Sequence, residues 1–170
     1  MGETTLDKLV IKVSSSLKIS DLDIQARYPV FGAQGFVGNY HKYQTDKESI
    51  AIIKDGAGVG RVQIIPAFSS VLGTLQLLIP KSNVDVNYLY YLLKHFDLGR
   101  SFNGATIPHI YFKDYKERQL IEKTFEDQKS ISKQLMQIDE LIKSKEKEID
   151  CLDSVIKSRF INQEVFNGIY

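Results

Sequence analysis

Apolar residues follow two rhythms along this chain. Up to about residue 120 they come in short runs cut by glycine, proline and aspartate. Beyond that point they recur at intervals of four and three. In the first part, Ser49–Lys54, Arg61–Ile65 and Thr74–Ile79 are β-branched or apolar runs with turn residues at their ends, which predicts three strands. Asp55-Gly56 supplies a reverse-turn signal after the first of them. Thr4–Val10 predicts a helical turn leading into a strand. Asp85 is placed to cap a helix from Val86 to about Leu98, with Gly99 as its stop. Leu89, Leu92, Leu93 and Phe96 fall at helical spacing and give that helix a face to bury.

The second rhythm is a heptad. Ile131, Leu135, Ile138, Ile142, Lys145, Ile149, Leu152 and Ile156 alternate by four and three, and seven of these eight are aliphatic. Thr124-Phe-Glu-Asp127 fits a capping box at the start. The pattern predicts one coiled-coil helix over about 124–160, roughly 50 Å long. A helix of that length with an aliphatic stripe calls for a partner. Lys145 in the seam either fixes register or reaches out to solvent. A parallel pair would set Glu148 against the partner's Asp153. An antiparallel pair would bring Leu141 toward the partner's Val155, with acid toward acid on the other flank, and is the preferred arrangement. Cys151 takes an outer, solvent-facing heptad position.

Composition sharpens the division. All four prolines, ten of the eleven glycines and 14 of the 18 Phe and Tyr residues precede residue 119. Net charge is only +1 overall, yet residues 1–118 hold 14 Lys/Arg against 11 Asp/Glu, while residues 119–170 hold 8 against 10. The chain therefore reads as α+β, with a mildly basic mixed α/β domain over 1–120 and a mildly acidic long helix over 121–170. One cysteine excludes an internal disulfide and a cysteine-based zinc cage. Met-Gly-Glu-Thr-Thr lacks the form of a signal peptide, and no apolar run is long enough to span a bilayer. A cytoplasmic location is expected.

Catalytic patterns are missing from the sequence. Gly56-Ala-Gly-Val-Gly60 follows a strand as a phosphate loop does, but without the Lys-Ser/Thr spacing or a helix behind it. It reads as a glycine turn between strands. His41, His95 and His109 lack metal-ligand spacing, and His95 is expected at the edge of its helix. There is no nucleophile elbow, no S-adenosylmethionine site and no Asn-Pro-Pro-Tyr motif. No catalytic residue, metal site or cofactor is expected on this chain. What remains is basic, aromatic and amide chemistry: Tyr40-His-Lys-Tyr43, Lys54, Arg61, Arg100-Ser-Phe-Asn103 and Thr106. That mixture suits nucleic acid, although a solvated loop surface has the same composition.

Three segments carry a resemblance. Tyr28-Pro-Val-Phe-Gly-Ala-Gln-Gly-Phe-Val-Gly38, Ile53-Lys-Asp-Gly-Ala-Gly-Val-Gly60 and Gly104-Ala-Thr-Ile-Pro-His109 look like the target recognition domain of type I restriction–modification specificity subunits. Phe125-Glu-Asp-Gln-Lys129 and the heptads after it resemble the family's spacer helix. Where the family usually writes Pro-Leu-Pro-Pro-Leu, this chain has Arg118–Phe125 without proline. A full subunit of the family has two such domains and two helices, so this chain resembles half of one.

The resemblance implies a DNA specificity half-subunit with no enzymatic activity of its own. Two copies, or this chain and another half-subunit, would join through their helices and read a bipartite site on double-stranded DNA, the helices acting as a ruler. Methyltransferase subunits would bring S-adenosylmethionine, and a restriction subunit is a further expected partner with ATP and Mg. The shared glycines and Thr106–His109 then serve as backbone features. The candidates for DNA contact are Lys42, Tyr43, Lys54, Arg61, Lys81, Arg100 and Asn103, with Arg or Lys directed to guanine and Asn103 to adenine. Two alternatives are a coiled-coil adapter that binds protein and an inactive, truncated specificity fragment.

Overall fold

A computed structural model of the protein describes residues 2–100 and 108–167, with side chains as far as residue 159. Contacts divide the chain into two compact units, Met1–Ser132 and Lys133–Tyr170.

The first unit is built on a four-stranded antiparallel sheet. Its strands are β2 (Val10–Ser14), β5 (Ser49–Ile53), β6 (Val62–Ile65) and β8 (Leu75–Pro80), in the order β2-β8-β5-β6. The three runs expected to be strands are these last three. All five residues of β5 are buried, since it is an inner strand covered on both faces. Alternation then sorts the core into two halves. On one face Val10, Ile50, Ile52 and Leu78 pack with Leu89, Leu93, Leu98, Ile110 and Tyr115. On the other, Ala51, Ile53, Leu75 and Leu77 pack with Val30 and Val71.

Helix α2 (Val86–His95) covers the first face. The Asp85 carboxylate accepts from the Tyr88 N–H at 2.8 Å, as the capping pattern predicts. Leu89 and Leu93 are fully buried, and Leu92 and Phe96 are packed at the rim. The helix ends earlier than the sequence suggests. Asp97 adopts a left-handed φ of 46°, and Leu98–Arg100 forms a 3-10 turn that drives Leu98 into the core. Gly99 is therefore not the stop; its role lies in a close backbone contact described below.

The second face is covered by a three-stranded sheet that the hydrophobic pattern did not disclose. β3 (Tyr28–Gly32) and β4 (Gly35–Tyr40) form a hairpin, and β7 (Ser70–Val71) runs parallel to β3. Gly35 and Gly38 take φ values of 106° and 151°, and a register shift interrupts the pair between Val30 and Phe31. Near the chain start, β1 (Glu3–Thr5) leads into the single turn α1 (Leu6–Leu9), which runs straight into β2, as expected for Thr4–Val10. β1 pairs with β9 (Gln119–Ile121). This strand lies in the proline-free stretch Arg118–Phe125, and a proline there would remove ladder donors.

Helix α3 (Phe125–Asn167) begins in the first unit. The Asp127 N–H donates to Thr124 Oγ1 at 3.1 Å, which is the capping contact the sequence announces. One turn on, Gln128 is 4% exposed and uses both ends of its amide. Its Oε1 accepts from the Asp85 N–H (3.0 Å), and its Nε2 donates to the carbonyls of Asn83 and Lys123 (3.1 Å each). Gln128 thus ties the start of α3 to the start of α2. Truncation removes three bonds to partly exposed backbone groups, each worth about 0.5–1.5 kcal/mol. Gln128→Ala is expected to destabilise the first unit by about 3 kcal/mol in urea titration. A loss below about 1 kcal/mol would mean that water replaces all three bonds.

Candidate nucleic-acid interface

The glycine-rich segment between β5 and β6 organises three of the seven residues chosen from the sequence. It closes as a turn: the Val59 N–H donates to the Gly56 carbonyl (3.1 Å), and the Gly60 N–H to Ile53 (2.8 Å). A strand follows it and no helix does, as expected for a glycine turn. Two neighbours pin it. On one side the Gly56 N–H donates to the Pro108 carbonyl (3.0 Å), and the Ile110 N–H to Lys54 (2.9 Å). On the other, Gly60, with φ at 83°, lies so near Gly99 that an added Cβ would sit 2.6 Å from the Gly99 Cα and the Leu98 carbonyl carbon.

Lys54 enters the turn and pairs with Asp55 at 3.0 Å, with 24% of its side chain exposed. Arg61 leaves it, its guanidinium folded over Gly58, where any side chain would collide with it. Arg100 follows Gly99, is 87% exposed and pairs with Asp97. Lys54, Arg61 and Arg100 thus cluster about one glycine turn.

The other candidates lie elsewhere. Lys42 and Tyr43 are exposed in the link between β4 and β5. Tyr43 meets Tyr28 edge-on at 5.0 Å and Phe68 at 5.4 Å. Lys81 follows β8, whereas Lys54 follows β5. Those strands are antiparallel, so the two lysines stand at opposite ends of the sheet, roughly 23 Å apart along the strands. The Lys81 ammonium donates to the Lys8 carbonyl at 2.7 Å, which ties β8 to α1. Asn103 and Thr106 lie outside the described residues.

Two groupings escaped the sequence reading. Arg27 lies over the Tyr28 ring (5.5 Å), extending the Tyr43–Phe68 aromatic surface. Phe68 is 51% exposed at a φ of 56°, a conformation unusual for an aromatic residue. The second is a cavity of about 570 Å³ lined by Lys12, Ser14, Ser15, Lys54, Gln76, Tyr111, Phe112, Lys113 and Lys116. In the core, burial and secondarily the Asp114 charge push the Tyr115 phenol far above its ordinary range, so that it stays protonated.

Among the described residues no group of His, Cys, Asp and Glu is arranged to hold a metal ion, and no helix is long and apolar enough to cross a membrane. His95 is the last residue of α2, and Cys151 is free and exposed on α3.

Along α3, Ile131 and Leu135 are half-buried. Ile138, Ile142, Ile149, Leu152 and Ile156 are 49–63% exposed and leave an apolar stripe open in the single chain. Lys145, within that stripe, donates to Glu148 of its own helix at 2.8 Å.

The sequence model of the type I restriction modification DNA specificity domain matches residues 11–153. The chain belongs to that family. Solved structures agree on the fold. The type I restriction–modification S subunit of M. genitalium superposes with a TM-score of 0.64 at 24% identity, over 82% of this chain and 39% of its own. A chain from work on complex assembly and conformational transition of the type I restriction–modification system gives 0.69 at 17% identity, over 84% and 39%. The HsdS subunit of Thermoanaerobacter tengcongensis gives 0.66 at 16%, over 84% and 38%. This specificity domain thus spans about two-fifths of the length of the subunits it matches. No curated protein matches it.

Proposed function

We propose that this specificity domain pairs through α3 with a second specificity domain, and that the pair reads a bipartite site on double-stranded DNA for methyltransferase subunits. The observation that carries the pairing is the open stripe of Ile138, Ile142, Ile149, Leu152 and Ile156. Aliphatic side chains at heptad spacing gain about 25 cal/mol per Å² when a second helix covers them. The Lys145–Glu148 pair interrupts that seam near its middle and favours the register that leaves both charges at the rim.

DNA contact is assigned to Lys54, Arg61 and Arg100 around the glycine turn, to Lys42 and Tyr43 beside the aromatic surface, and to Lys81 and Asn103. Arginine and lysine reach guanine and phosphate, and Asn103 reaches adenine. The chain itself performs no chemistry in this reading. Methyltransferase subunits supply S-adenosylmethionine chemistry, and a restriction subunit, where one joins, supplies the ATP- and Mg-dependent steps in the cytoplasm.

The test is selection from a random duplex library by the protein mixed with its methyltransferase subunits. Two short motifs in inverted orientation, separated by a constant unread gap, are expected to be enriched. The enriched duplex should be retarded in a gel more strongly than a scrambled one, and binding should weaken steeply with salt. Absence of any enriched motif would overturn the proposal.

A further inference from the structure

The lysine-lined cavity has no part in the sequence-based reading beyond Lys54, and its chemistry differs from that of the glycine turn. Three segments distant in sequence build it. Lys12 and Ser14 share one face of β2, and Ser14 lies opposite Gln76 of β8. That face is apolar at Val10, Leu78, Ile50 and Ile52, and turns polar at Lys12 and Ser14 of the edge strand and at Gln76 of β8 beside them. Lys54 leaves β5 beside them, and its N–H donates to the Thr74 carbonyl at 3.0 Å. The third wall is the segment after Ile110. It is anchored by the Ile110–Lys54 backbone bond and held by a 3-10 turn, Phe112–Asp114, that delivers Lys113 and Lys116.

The donors left over decide what this basin accepts. Its carboxylate neighbours are few, and most are committed. Asp55 pairs with Lys54, and Glu117 pairs with Lys116 at 3.4 Å. The Asp114 carboxylate accepts the Tyr111 N–H at 2.8 Å. Among the described residues no carboxylate pairs with Lys12 or Lys113, and the Lys113 ammonium rests over the Tyr111 ring at 5.6 Å. The one side-chain amide in the lining is also committed: Gln76 Nε2 donates to the carbonyls of Val13 (2.7 Å) and Leu77 (3.1 Å). The basin therefore offers ammonium and hydroxyl donors without a free amide or guanidinium fork to match a base edge. Compact point charges with no base-reading geometry suit phosphate oxygens.

We propose that the cavity formed by Lys12, Ser14, Lys54, Lys113 and Lys116 is a clamp for backbone phosphates of duplex DNA, fixing register without reading sequence. The assignment rests on the DNA-reading function proposed above. It makes Lys12, Lys113 and Lys116 contributors to affinity that are indifferent to the bases.

The test compares the full chain with Lys12→Gln/Lys113→Gln/Lys116→Gln, each mixed with the methyltransferase subunits, by fluorescence anisotropy at several NaCl concentrations. The probes are a labelled duplex of the enriched sequence and a labelled scrambled duplex. Each phosphate neutralised contributes about 0.9 to the slope of log affinity against log salt, so the triple variant is expected to lose about 2–3 from it. Its affinity for both duplexes should fall by the same factor, about tenfold or more, leaving the ratio between them unchanged. Lys12→Glu alone, on an edge strand, should shift the slope in the same direction. Lys143→Gln/Lys147→Gln on α3 should not. An unchanged slope in the triple variant, or a loss confined to the enriched duplex, overturns the clamp while leaving DNA reading intact. Failure of the unaltered protein to bind either duplex overturns both.

Discussion

Ile142→Asp combined with Ile149→Asp is expected to turn a two-chain assembly into single chains by light scattering. Both side chains are about half exposed in the lone chain, at 49% and 58%, so a partner helix has apolar surface left to cover. Covering an isoleucine is worth about 1.5–3 kcal/mol, and enclosing an unpaired carboxylate costs several more. Each substitution acts in both chains of a pair, so the combined effect is on the order of 10 kcal/mol. At about 1.4 kcal/mol per tenfold, that exceeds the stability of an ordinary dimer at micromolar concentration. Both positions belong to the unit Lys133–Tyr170, so the cooperative unfolding of the unit Met1–Ser132 is expected to persist in the variant. An assembly mass equal to that of the unaltered protein would show that the stripe is not the seam.

Gly60→Ala should be the most damaging single-methyl change in the glycine turn. A Cβ there would lie 2.6 Å from two backbone atoms of Leu98 and Gly99, and neither can rotate away as a side chain would. The positive φ of 83° adds about 1 kcal/mol or more for any residue with a Cβ. Together these predict a loss of about 3 kcal/mol or more in urea denaturation. Gly56→Ala is the internal control. Its φ of 87° carries the same conformational cost, but nothing lies within 4 Å of the added carbon, so about 1 kcal/mol is expected. Equal losses at the two positions would mean that the contact between the turn and Gly99 contributes nothing. The same contact joins the backbone positions that precede Arg61 and Arg100, so Gly60→Ala should also weaken DNA binding in whatever fraction still folds.

What could be read from the chain beforehand followed the strength of the local pattern. β5, β6 and β8 were legible because buried aliphatic runs stand between turn residues. α2 was legible because Asp85 and the Leu89–Leu93 face agree. The hairpin of β3 and β4 was not, since its pairing relies on glycines at positive φ and a shifted register, which look like loop punctuation. β1 and β9 pair from opposite ends of the first unit and expose most of their short length, so neither leaves a hydrophobic signature. Gly99 misled for a related reason. The left-handed residue that stops the helix is Asp97, and glycine is required two residues on by close packing.

The candidate site divides in the same way. Residues beside a motif, Lys54 and Arg61, were nominated from the sequence because the Gly56–Gly60 turn draws attention to them. Lys12, Lys113 and Lys116 were not, because only the β2–β8 register and the Ile110–Lys54 bond bring positions a hundred residues apart into one basin. Gln128 could have been suspected from the Phe125–Lys129 segment, yet its partners at Asn83 and Asp85 are visible only in the fold. Overall charge was the least informative number, because a near-neutral sum conceals a local group of lysines.

In the proposed function, paired helices hold two DNA readers at a fixed separation. The most direct measurement inserts two base pairs into the gap of the enriched duplex and compares affinities for the complete complex. Two base pairs displace one half-site by about 7 Å and rotate it by roughly 70°. The prediction is at least a tenfold loss for the unaltered protein, and little change for the variant whose seam is broken by Ile142→Asp/Ile149→Asp. Equal affinity of the unaltered protein for both spacings would contradict the claim.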